Sequence, residues 1–458
     1  MSNETETVAE GALVVDADGT TSWWLPSVAA VAEVRLPVAD GVELAVDAAD
    51  PTLVLAWAAA PGAEIDSLAG VFVDGSLVDR VRALRAGGEQ VVVEDAPILT
   101  RPWVRMATVA AVRQCAVLPL NEGALLLDLA SATSGVGYAE AAAHVFGLAA
   151  PVLMALGEQC LATEIRGGAA SQLVEIAQVA DAALAGTAWA DDVHALAARL
   201  REEVSEIPDV FAFDFAGALV ADIWTADGST PSGVLTPEFV DPGLVPARIL
   251  SWPGAAKHEV FVELHDGYVV VTAALAYRVD ERTLEANQLL AFAARRDDGA
   301  LVATAPMTVT GGTVSAALPV DGDADGLAFG IFHADSDLDD LRVDRVGRMM
   351  VEVDREMADA FVYQRAAVTA LHRTSLDDDQ SAALRAGKRN TREAKAAAGR
   401  ALSILSTAFA DGGDGDVREL IEARVSVIDR HRANIDDNEV PAGSEPLLAE
   451  LLPSGPHE

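Results

Sequence analysis

Apolar and polar residues repeat with two different periods along this chain, and the period switches more than once. Over residues 1–120 the apolar runs are short and broken by Gly, Pro and Asp: ALVVD, AEVRLPV, VELAVDA, TLVLAWA, GVFVDG, EQVVVED and CAVLPL. Runs of that length predict strands. One helix interrupts them at Ser76 to Arg85, closed by Gly87-Gly88, where a left-handed C-cap is needed. Strands with an occasional helix predict a β-rich α/β or α+β domain over 1–120.

From 121 to 207 the period becomes helical. Tyr138 to Gly147, Pro151 to Thr163, Ser171 to Ala185 and Ala190 to Val204 read as short helices, a segment expected to pack on the first domain. In the last of them Val193, Leu196, Leu200 and Val204 form one stripe, and Asp191 and Asp192 suit the positive end of the helix dipole. The uncharged run from Ala141 to Gly157 contains Pro151. It is shorter than the roughly 20 apolar residues a membrane span needs, so a buried helical hairpin bent at the proline is expected.

Residues 208–340 return to strands. FAFDF and ALVADIW alternate, and a Pro- and Gly-rich connection follows. From His258 to His333 the apolar runs are densest, separated by D-G, G-G and D-G-D-A-D-G turns. The run from Tyr268 to Tyr277 is nearly all apolar, as a central strand is. Turns at this spacing predict an antiparallel β-sandwich. After residue 340 the pattern predicts three long helices, over 338–373, 379–409 and 416–432. Val346, Met350, Val353, Met357, Phe361, Val368 and Leu371 form a near-heptad seam. A three-helix bundle or coiled-coil hairpin is expected over 341–434, with a polar tail over 435–458. The whole reads as an α+β multidomain chain: β-rich N-terminal domain, helical middle, β-sandwich and C-terminal helices.

Composition changes this picture in one respect. The 458 residues carry a net charge of −39, with only three lysines, Lys257, Lys388 and Lys395. Arg-for-Lys usage with heavy Asp fits a high-GC genome of actinobacterial or haloarchaeal type. Such a surface repels nucleic acid and anionic membranes and keeps the chain soluble at high ionic strength. The acidic start, MSNETETVAEG, lacks the basic and apolar regions of a secretory signal. Cys115 and Cys160 form no C-x-x-C pair. A cytoplasmic protein is expected.

The charge is also uneven. Between Leu341 and Asn434 there are 16 Arg and Lys against 15 Asp and Glu, so the deficit lies elsewhere. Within that stretch Arg385, Lys388, Arg392 and Lys395 recur at helical spacing, with Arg389 beside them. Large apolar residues are nearly missing from Arg385 to Arg400, which suggests a half-helix that is not well buried. This basic face either meets water, docks on the chain's own acidic parts, or binds an acidic partner. The functional expectation is a non-catalytic assembly protein using that face, with self-association through the 346–371 seam as a further possibility.

Other chemistry is weaker. His333, Asp335 and Asp337 would share a face of a strand and could hold a divalent cation, although an acidic helix cap explains them too. The calcium-loop start at Asp321 places Phe332 where a bidentate Glu is required. His258 and His265 are seven residues apart, outside zincin spacing. Ser131 to Gly137 precedes a helix containing His144 and could bind an anion at a helix N-terminus. A hydrolase-like site between the N-terminal domain and the helical middle, using Ser134, His144 and nearby carboxylates, is the first alternative, and nucleic-acid binding through the basic helix the second. No cofactor and no membrane partner are expected.

Overall fold

Alternation in the first strands sets one row of large side chains. In the computed structural model β1 (Val14–Val15), β2 (Thr21–Trp24), β3 (Glu33–Ala39), β4 (Val42–Asp47) and β5 (Val54–Ala59) form an antiparallel sheet of order β1-β2-β5-β4-β3. The register pairs Trp23 with Trp57, Trp57 with Leu44, and Leu44 with Leu36. All four are buried, so a single cross-strand row carries one face of the sheet. The structure describes residues 13–16, 18–25, 33–87, 93, 96–115, 120–162, 164–205, 240–241, 243–246, 249–250, 260–265, 267–276, 279–320, 324–336, 338, 341–374, 380–410, 415–437 and 442–452.

Among the described residues six α-helices follow: α1 (Ser76–Arg85), α2 (Arg101–Cys115), α3 (Glu122–Gly135), α4 (Ala139–Leu161), α5 (Gly167–Ala183) and α6 (Ala190–Ser205). The first is where the sequence places it. The second is a correction: GVFVDG contributes only a bridge from Phe72 to Leu99, and Cys115 of CAVLPL ends α2. The β-branched Val104, Thr108, Val109 and Val112 hide this helix from a propensity reading. They are buried along it, where packing outweighs their weak preference. EQVVVED, save Val93, and the strands expected at FAFDF and ALVADIW lie outside the described residues.

The expected hairpin at Pro151 is instead one continuous helix, α4. Among the described residues α4 alone is long and apolar enough to cross a membrane. Its Phe146, Leu153 and Cys160 are buried in the chain's own core.

The middle region holds β6 (Phe261–His265), β7 (Tyr268–Ala274), the short α7 (Leu284–Asn287), β8 (Leu289–Arg295), β9 (Leu301–Pro306), β10 (Thr308–Thr310), β11 (Thr313–Pro319) and β12 (Leu327–His333). They form two antiparallel sheets, β10-β11-β7-β6 and β12-β8-β9. Val262, Val271, Val314, Ala291 and Ile331 from both sheets meet in one apolar core. As the apolar run predicts, β7 is an interior strand.

The chain then forms α8 (Arg345–Thr374), α9 (Gln380–Ala410), α10 (Gly415–Asp437) and a short α11 (Leu448–Leu451). These helices do not stand apart. Met350, Val353, Met357 and Phe361 of the α8 seam share a core with the first sheet and with α2–α6. The stretch expected as a polar tail also enters it, since Leu447, Leu448, Ala449 and Leu451 are buried. Leu-Leu and Leu at that spacing make one apolar turn, which outweighs the polar flanks.

A line of buried charges ties these parts together. Arg424 on α10 donates to Asp47 at the end of β4 (3.1 Å) and to Asp354 on α8 (2.8 Å). Arg342, just before α8, donates to the other oxygen of Asp354 (2.7 Å) and, through Nε and Nη2, to Asp241 at the entry to the middle region (2.7 and 2.8 Å). Burial works against the charge on Arg424, but Asp47 and Asp354 overcome it and hold the guanidinium ionised. Removing one partner from such a line strands another charge, at a cost of roughly 3–5 kcal/mol. Arg424→Met should lower unfolding stability by about that much in a denaturant titration, whereas Arg432→Ala, on an exposed pair with Asp429, should change it by less than about 1 kcal/mol.

Candidate functional site

The basic residues sit on α9 because its opposite face is built for close packing. Ala394, Ala397, Ala398 and Ala401 are fully buried. A Cβ on Gly387 would meet Leu371 of α8 at 3.1 Å. Small residues let the two antiparallel helices approach, so this half-helix is well buried on one side without large apolar groups. That corrects the sequence reading, which looked for bulk where smallness does the packing.

On the outer side Arg385, Lys388, Arg389 and Arg392 are exposed, and Lys395 is half-buried. Among the described residues no carboxylate pairs with Arg385, Lys388, Arg389 or Arg392. The neighbouring helix explains this: from Ala360 to Thr374, the stretch of α8 beside the basic half, there is no Asp or Glu. One turn further on the situation reverses. Arg400 of the same helix grips Glu356 of α8 at 2.9 and 3.0 Å. The helix α9 as a whole holds six cations and one carboxylate, Glu393.

Of the three proposed metal ligands two lie close, His333 Nδ1 standing 3.6 Å from Asp335 Oδ2. His333 ends β12 and is buried, with Nε2 lacking a partner. Asp335 lies beyond the strand, in a turn, where its backbone N–H donates to His333 Nδ1 at 3.3 Å and its carboxylate is mostly exposed. The common strand face therefore ends at the histidine. Asp337 lies outside the described residues. Among those described, no group of His, Cys, Asp and Glu has the arrangement of a metal site. Both cysteines are buried and free. Burial pushes the Cys115 thiol up to about 12 and Cys160 up to about 11, which removes their nucleophilicity at neutral pH.

Ser131 to Gly135 do not form a loop before a helix. They are the last turns of α3, whose carbonyl end repels anions. His144 is exposed on α4. Ser134 and Ser131 line a cavity of about 650 Å³ that does not include His144. Walls come from α2, α3, α5 and from residues 443–451, a strap that closes one side. Among the described residues no histidine or cysteine lines it, and its titratable acids are Asp128, Glu175 and Glu445.

The strap is held by charges the sequence reading did not single out. Arg365 of α8 clasps Glu450 (3.0 and 2.5 Å) and donates to the carbonyls of Ser444 and Glu445. Arg105 of α2 donates to Glu445 O (2.6 Å) and to Asp128 of α3 (3.3 Å). Asp128 accepts from Leu448 N and Ala449 N at 3.1 and 2.9 Å, capping α11 from another element. Buried Arg, Asp and Glu far apart in sequence gave no local signal. No known protein family, curated protein or solved structure matches this chain.

Two outcomes follow from the strap. Burial raises the Asp128 carboxyl to about 6, outweighing Arg105 and the two amides. A raised folded pKa means proton uptake on folding, so Asp128's contribution to stability is full below about pH 4 and is lost as pH rises through about 6. Carbon-detected titration should find this carboxyl titrating near pH 6. A reading near 4 would refute the burial argument. Gly443 has φ +99°, and a Cβ there would lie 2.6 Å from Arg101 O. Gly443→Ala should therefore cost on the order of 1–3 kcal/mol and open 443–452 to amide exchange, leaving the middle sheets protected.

Proposed function

We propose that the chain is a non-catalytic assembly protein that takes an acidic protein partner on the outer face of α9. The observation that carries this reading is four exposed cations, Arg385, Lys388, Arg389 and Arg392, unpaired among the described residues on a chain of net charge −39. A chain this rich in carboxylates has abundant means of neutralising such a face, yet the adjacent stretch of α8 offers none. Arg forks suit carboxylates in bidentate geometry, and spacing along nearly two turns suits a partner helix or strand with acidic residues in series. Duplex nucleic acid would meet the same four cations but also the repulsion of the remaining body.

The architecture that accompanies this reading is a β-sandwich over 208–340 and a helical bundle over 341–434, supported by the single core shared by the two middle sheets. Self-association through 346–371 has less support, because the centre of that seam is spent on the chain's own core. A cytoplasmic location is supported by the two free cysteines.

The scarcity of lysine gives a direct test. Carbodiimide coupling joins amines to carboxylates in contact, and Lys388 stands in the middle of the proposed face. Coupling in native extract should join Lys388 to a partner carboxylate. The variant carrying Arg385→Glu, Arg389→Glu and Arg392→Glu should lose that product while melting within a few degrees of the parent. The same product from the reversed variant, or a product with nucleic acid in photo-crosslinking that tracks these residues, would sink the proposal.

A further inference from the structure

We infer that the cavity between α2, α3, α5 and the strap is a binding site for a small hydroxylated amine. Its volume of about 650 Å³ falls within the range of small-ligand pockets, roughly 300–1,000 Å³. Its lining divides by chemistry. Ile176, Val179 and Leu451 give an apolar floor. Ser131, Ser134 and Ser171 give hydroxyls that both donate and accept. A ring or chain with C–H faces and hydroxyl edges matches that division.

The charge argument selects the amine. Two arginines line the cavity, but both are engaged by the protein. Arg101 pairs with Glu445 at 2.9 Å. Arg105 is spent on Asp128 and on the carbonyls of Glu445 and Pro446. Among the described residues the lining charge left unpaired is the carboxylate of Glu175, exposed one turn along α5 from Ser171. A phosphate or carboxylate ligand would face Glu175, Glu445 and the field of the whole chain. An ammonium would pair with Glu175 while its hydroxyls reach the serines.

The strap makes the site conditional on the finished fold. Gly443, Glu445, Pro446 and Leu451 supply one wall, and the buried Arg365–Glu450 pair holds that wall in place. The site therefore belongs to the assembled body and is separate from the α9 face.

Calorimetry on the full chain, with D-glucosamine and glucamine as probes and N-acetylglucosamine as the uncharged control, tests this. At least one amine should bind saturably at one site, and more tightly than the control. Glu175→Gln, at an exposed position that folding tolerates, should weaken it about tenfold or more. Ser134→Leu should replace a hydroxyl contact with an apolar branch and weaken binding. The charge-reversed α9 variant should bind as the parent does, which keeps this inference distinct from the partner proposal. Absence of saturable binding by both amines, or binding that Glu175→Gln leaves unchanged, overturns the inference whether or not Ser134→Leu folds.

Discussion

Asp354 accepts from two arginines at once, and the rest of the molecule is arranged around that fact. One of its oxygens holds Arg424, which reaches back to Asp47 in the first sheet; the other holds Arg342, which reaches on to Asp241. Sheet, helices and middle region thus meet through a single carboxylate with a side chain wholly buried. Desolvation makes such a line costly to assemble and more costly to interrupt. Its gain is in fixing relative position: apolar contact alone tolerates sliding, whereas a bidentate guanidinium does not.

This places the unpaired charges in context. Arginines on the inner faces of α8 and α10, and Arg342 ahead of them, are each matched to a carboxylate. Arg400 on α9 is matched as well. Along the described part of α9 the matching stops on the outer half, at the point where α8 ceases to carry Asp or Glu. The contrast within one helix is sharper than the contrast in net charge, and it gives the basic face its interest.

Local patterning was readable. The helix at Ser76–Arg85, the interior strand β7 and the three long C-terminal helices follow from periodicity and punctuation. What periodicity could not convey was distance. The first sheet and the last helices share one core because β4, α8 and α10 carry complementary buried charges some hundreds of residues apart, and nothing in the spacing of Asp47, Asp354 and Arg424 announces that. Small residues misled in the opposite direction. The alanines of α9 looked too slight to bury a helix, and Ser131 to Gly135 looked like a loop. Close helix packing turns both into interior structure. The exposed basic residues were legible because a solvent-facing charge obeys helix periodicity without help from tertiary contacts. The cavity was not, because its walls come from four separate parts of the chain.

The capping of α11 by Asp128 spans 320 residues of sequence. At roughly 5–20 residues per second, a ribosome needs on the order of half a minute to add that much polypeptide after α3 has emerged. Throughout that interval the nascent helical segment lacks the amides, and the leucines, that complete its interior. Its early half must wait, incompletely packed, for its late half, and during that wait mutual repulsion among its carboxylates, weakened as salt rises, is what holds unfinished chains apart.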